Sequence, residues 1–106
     1  MRNSVVVSKM IQHIEKIQEY TSNMDYSKFI ADSMVVEASV FNLSQIGELA
    51  NSVDREFMEK NKQIPWRQVY GLRNRIVHDY EGVNLKLVWE IIDDDLGGLK
   101  KALEEL

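Results

Sequence analysis

The chain has 106 residues, 44% hydrophobic and 28% charged, with no cysteine and a formal net charge of -4. That length suits a single domain over residues 1–106 with one modest core. The composition excludes wholesale disorder, a disulfide framework and a zinc site of the Cys type.

No apolar run approaches membrane-spanning length. The start, Met1-Arg2-Asn3-Ser4-Val5-Val6-Val7, soon gives way to Lys9, His13, Glu15 and Lys16, unlike a secretion signal. A cytoplasmic protein with no membrane partner is expected. The negative balance, taken alone, argues against a nucleic-acid partner, because phosphate binding normally needs a basic patch. The distribution softens this. Asp93, Asp94, Asp95, Glu104 and Glu105 face only Lys100 and Lys101 at the C-terminal end, whereas residues 65–90 set Arg67, Arg73, Arg75 and Lys86 against Asp79, Glu81 and Glu90.

Helix formers and helical periodicity dominate, with no sustained alternation of apolar and polar residues. An all-α antiparallel bundle of four to five helices is expected. The first helix spans about residues 5–21, with Met10, Ile11, Ile14 and Ile17 as its apolar stripe and Glu15, Lys16 and Glu19 outside. His13 lies among charged residues and reads as a surface side chain. A turn over residues 21–26 follows, rich in side chains that bond the backbone locally.

A long helix is expected over residues 27–53. It carries two stripes, Ile30, Met34, Ala38 and Phe41 on one side, and Val36, Val40, Leu43, Ala50 and Val53 on the other. A helix apolar on two sides is either central or at a subunit interface. Gly47 inside it costs about 1 kcal/mol against Ala, which a close approach of another backbone or a ligand explains, with simple tolerance as the alternative.

A short charged helix over residues 54–61 leads to Pro65, which suits a first helical position because its missing N–H is not needed there. The next helix, about 65–79, ends at Glu81-Gly82-Val83. Asn84 then caps a last helix bearing Leu85, Val88, Ile92, Leu99, Leu103 and Leu106, which Gly97-Gly98 is expected to weaken or kink.

The helix over residues 65–79 carries the chemistry. On an ideal helix Trp66, Val69, Leu72, Ile76 and Val77 share one side, with Arg73 in its middle. A guanidinium there needs a carboxylate, such as Glu37 or Glu48, or a cleft. Arg67, Asn74 and His78 fall on the opposite edge. Asp93-Asp94-Asp95 reads as a solvated acidic face, not a metal site, because consecutive carboxylates on a helix point in different directions.

The run Arg73-x-x-x-x-His78-x-Tyr80 resembles the R-x4-H-x-Y signature of HepT-type toxins in the HEPN superfamily. Ile46-Gly47-Glu48, Ile64-Pro65-Trp66, the core Gly71 to Tyr80, and Val88-Trp89-Glu90 match further family segments in order, over about residues 46–90. The resemblance implies a HEPN-like helical homodimer whose Arg73 and His78 line a cleft at the dimer interface and cut RNA without a metal or other cofactor. It also implies a nucleotidyltransferase antitoxin that adenylylates Tyr80.

The residue types suit that chemistry. Histidine titrates nearest neutrality, for proton transfer at a 2'-hydroxyl, and a guanidinium holds a developing phosphorane by two parallel hydrogen bonds. Asn74 is expected to position phosphate or histidine, and Glu48 to bond Arg73 or border the cleft. AMP on Tyr80 adds negative charge beside His78 and repels RNA phosphate. Positions five apart differ by about 140° on an ideal helix. Either the helix loosens before His78, or the site combines Arg73 of one subunit with His78 of the other.

Two other readings compete. One is a non-catalytic nucleotide- or substrate-binding subunit of a nucleotidyltransferase, favoured by the net charge. The other is a structural dimerisation domain, suggested by the two-striped helix.

Overall fold

The computed structural model describes residues 2–76 and 82–106, and all of the described regular structure is helical. The chain runs through α1 (Asn3–Tyr20), α2 (Tyr26–Ala31), α3 (Ser33–Ala50), α4 (Arg55–Lys60), α5 (Trp66–Tyr70), α6 (Leu72–Ile76) and α7 (Leu85–Glu90). A π-helical turn at Ile91–Asp95 then leads into α8 (Leu96–Glu104). Taken as rods, α1, α3, α5–α6 and α7–α8 are the four main pieces, with α2 and α4 as short further helices. The described fold is all-α, as expected.

α1 buries Val6, Met10, Ile14 and Ile17, which recur at helical spacing, and leaves Glu15, Lys16 and Glu19 in water. It packs mainly on α3. The two rods are antiparallel, because Asn3 at the start of α1 meets Asp54 beyond the end of α3: its side-chain amide donates to Asp54 Oδ2 at 3.2 Å, and the Asp54 N–H donates to Asn3 Oδ1 at 3.1 Å. His13 does not stand at the surface as expected. It is half-buried, with Nδ1 2.7 Å from Oδ1 of the buried Asn42 on α3. Its position at the α1–α3 seam brings a polar partner that α1 alone does not reveal.

The long helix expected over residues 27–53 is broken at Asp32. Its extended backbone (φ -111°, ψ 92°) stops α2, and its carboxylate accepts from the Val35 N–H at 3.1 Å to start α3. An Asp that bonds the backbone so readily competes with helix continuation. Of the two expected stripes, Leu43, Ala50 and Val53 are buried and Val36 and Val40 half-buried, while Ile30, Met34 and Phe41 are exposed.

The last rod also differs from expectation. α8 runs straight through Gly97 and Gly98, and the irregularity lies upstream in the π-helical turn. One extra residue per turn there lets both Ile91 and Ile92 reach the core before Leu96 and Leu103 continue it. Asn84 caps α7 as expected, its Oδ1 accepting from the Leu87 N–H at 3.1 Å. Trp89 stacks obliquely on Phe29 of α2, with centroids 5.2 Å apart, and Trp66 meets Phe57 of α4 edge-on at 6.1 Å. Lys100 of α8 reaches Glu15 of α1 at 3.3 Å.

Candidate functional site

The site grows from the packing of α5–α6 on α3. Trp66 and Val69 of α5 and Leu72 and Ile76 of α6 are buried. Trp66 is fixed at its polar edge, where the indole N–H donates to the Asn61 carbonyl at 3.0 Å. Pro65 stands one residue ahead of the first helical position and serves as the N-cap of α5. Gly47 decides how close the rods come. A Cβ there would lie 3.2 Å from the Val69 carbonyl oxygen and 3.4 Å from that of Tyr70. Of the two explanations for this glycine, the close backbone approach is the one observed.

Gly71 separates α5 from α6, and the expected placing of Arg73 is overturned. The ideal-helix projection carried Arg73 into the apolar side. Leu72 and Ile76 continue the buried stripe of Trp66 and Val69, and Arg73, Asn74 and Arg75 are all exposed beside it. Arg73 is therefore not a buried cation in search of a core carboxylate. Glu48 is exposed on α3, and among the described residues no ion pair joins Arg73 to Glu37 or Glu48.

His78 and Tyr80 lie outside the described residues. The Asn84 N–H donates to the Ile76 carbonyl at 2.9 Å, so the end of α6 and the cap of α7 are tied together. Gly82 has φ +99°, a conformation that glycine adopts without penalty.

Beside α5–α6 runs a groove of about 500 Å³, between that rod and α8. Val69, Leu72, Leu96 and Leu99 give it an apolar floor, and Arg75, Asp94 and Asp95 stand in its lining, which does not include Arg73. The three aspartates of the π-helical turn are exposed, in line with a solvated acidic face, and the described residues hold no group of acids and histidines fit for a metal.

One property of this region belongs to no motif. Residues 61–76 hold four cations, Lys62, Arg67, Arg73 and Arg75, and none of the chain's 17 carboxylates. All four are exposed. A chain that is acidic as a whole thus gathers four exposed cations in one acid-free stretch of sequence, although Asp94 and Asp95 of the π-helical turn share the groove with Arg75. No helix among the described residues is long and apolar enough to cross a membrane.

The chain thus joins an all-helical fold to the run from Arg73 to Tyr80, whose first residues are exposed on α6. The family model described as "Ribonuclease HepT-like" matches residues 10–106. A Methanocaldococcus jannaschii protein named "Putative RNase MJ1380" is 33% identical over 95 residues, covering 90% of this chain and 87% of the relative. "Putative RNase TTE0752" of Caldanaerobacter subterraneus is 31% identical over 97 residues, covering 92% and 87%. "Probable ribonuclease HepT" of Thermococcus cleftensis is 30% identical over 93 residues, covering 88% and 84%. No solved structure matches the chain at a significant level. The chain belongs to the HepT-like ribonuclease family, and its enzyme class is that of a ribonuclease.

Proposed function

We propose that the protein is a metal-independent endoribonuclease acting as the toxin of a toxin–antitoxin pair, with Arg73 and His78 as its catalytic residues. The observation that carries this reading is the exposed Arg73 on the acid-free α5–α6 surface, five positions before His78, in a chain of the HepT-like ribonuclease family. In the reaction, His78 takes the proton of a 2'-hydroxyl. That oxygen forms a bond to the adjacent phosphorus, and the bond from phosphorus to the 5'-oxygen breaks as a proton reaches the leaving oxygen. Arg73 holds the phosphoryl oxygens, whose charge rises at the phosphorane. Asn74, one position on, orients the phosphate, and Glu48 borders the cleft. A 2',3'-cyclic phosphate and a 5'-hydroxyl are the expected products.

A homodimer completes this reading. Met34 is 79% exposed and Phe41 59% exposed, and with Ile30 they form an apolar strip that another copy of the chain would cover. The site then combines Arg73 and His78 across the two-fold axis. The antitoxin is a nucleotidyltransferase that places AMP on Tyr80, adding negative charge where RNA phosphate must approach. The alternative of a non-catalytic nucleotide-binding subunit finds its support in the net charge of -4 and in the groove holding Arg75.

The test is incubation of the purified protein with end-labelled RNA in EDTA, beside His78→Ala. Cutting that persists in chelator and vanishes in the variant supports the enzyme; no cutting under any condition favours the binding subunit. Mixing inactive Arg73→Ala with inactive His78→Ala subunits is expected to restore cleavage in the mixed dimers, and no recovery would sink the composite site.

A further inference from the structure

Tyr70 stands three residues after Arg67, three before Arg73 and four before Asn74 on the α5–α6 rod, so each of these side chains neighbours it, with the two arginines on either side. Hydrogen bonding carries the rod across Gly71: the Gly71 N–H donates to the Arg67 carbonyl and the Arg75 N–H to the Gly71 carbonyl, each at 3.0 Å. All four side chains are exposed. Tyr70 is 54% exposed and takes no part in the hydrophobic core, yet its backbone is held against Gly47. A large aromatic ring thus stands in water on a firmly seated helix, with a guanidinium one turn before it and another one turn after.

Resting on the ribonuclease reading above, we propose that Tyr70 is a stacking platform for one base of single-stranded RNA, positioning the strand whose phosphates Arg67 and Arg73 hold on either side. The two arginines are six residues apart, about 9 Å along the axis, with the ring midway. An exposed aromatic accepts the face of any base, so the contact is tolerant of sequence. It requires an unstacked base, which a duplex does not offer. Charge complementarity favours RNA over a second copy of the chain on this face, because residues 61–76 carry four cations and no carboxylate, whereas the centres of subunit interfaces are depleted in charge. The apolar strip of Ile30, Met34 and Phe41 has the opposite character.

The probe is a single-stranded oligoribonucleotide carrying one 2-aminopurine, used alone and annealed to its complement, with His78→Ala protein to prevent cutting. Binding to the single strand is expected to change the probe's fluorescence. Tyr70→Ala should weaken single-strand binding about tenfold, with Tyr70→Trp restoring it and duplex binding unchanged. Tyr70→Ala should also leave the salt dependence of binding intact, while Arg67→Ala makes it shallower by roughly 0.7 in logarithmic slope. Undiminished binding by Tyr70→Ala, an equal loss on duplex, or a change of oligomeric state on sedimentation would each overturn the proposal. Tyr70-dependent binding by a parent protein that cuts no RNA would refute the ribonuclease reading alone. Cutting by a parent whose Tyr70→Ala form binds normally would refute the stacking role alone.

Discussion

Gly47 and Gly97 both sit inside helices, yet their surroundings make opposite demands. A Cβ on Gly47 meets two backbone carbonyls, which yield only if α5 moves, whereas one on Gly97 meets nothing within 4 Å. Gly97→Ala is therefore expected to stabilise the fold by about 0.5–1 kcal/mol, seen as a higher midpoint in urea unfolding. Gly47→Val is expected to destabilise it by roughly 1–3 kcal/mol through overpacking, and to lower RNA cleavage as the Arg73 helix shifts. The helical pattern placed Gly47 in α3 but left its reason open, because a close approach is a property of the partner rod. Arg73 shows the same limit. Projection on an ideal helix put it among apolar neighbours, yet it stands in solvent beside the buried Leu72 and Ile76, because the projection cannot say where the partner rod stops covering that side. Arg67 and Asn74, correctly read as outward-facing, needed no partner to be placed.

At the scale of elements, capping chemistry separates what was legible from what was not. Asn84 comes two residues after a glycine and just before an apolar period, so its role as a cap was readable, and it is observed. Asp32 lies inside an unbroken helical pattern, and its capping bond to Val35 became visible only with the break between α2 and α3. Asp32→Ala is expected to cost about 1 kcal/mol in stability, measured by chemical denaturation, with Asp32→Asn retaining most of it because Asn caps nearly as well. The π-helical turn was equally hidden. Both Ile91 and Ile92 are apolar, so the pattern runs on smoothly where the backbone gains a residue. The glycines at 97 and 98 drew attention instead, although a helix packed on one face tolerates them on the other.

For the whole molecule, the distribution of surface character matters more than net charge. Residues 61–76 carry four exposed cations and no carboxylate, one strip is apolar around Met34 and Phe41, and six of the 17 acids fall within residues 90–105. The double stripe in the sequence pointed to either a central helix or an interface. The second stripe makes α3 central, with α1, α2, α5 and α6 packed on it, while Met34 and Phe41 of the first stripe stay exposed. Phe41→Lys is expected to yield a monomer in sedimentation velocity and to abolish cleavage while leaving helix content unchanged by circular dichroism; a dimer that persists would place the contact elsewhere. The pairing of each tryptophan with a different partner has a practical consequence. Trp89 on Phe29 reports the contact of the first bend with the last rod, and Trp66 on Phe57 reports the joint between α4 and α5. Single-tryptophan proteins made by Trp66→Phe and Trp89→Phe thus carry independent optical gauges at two joints of one small bundle. Coincident fluorescence transitions would mark unfolding as all-or-none, and an earlier change at Trp66 would show that the arginine helix comes loose before the rest.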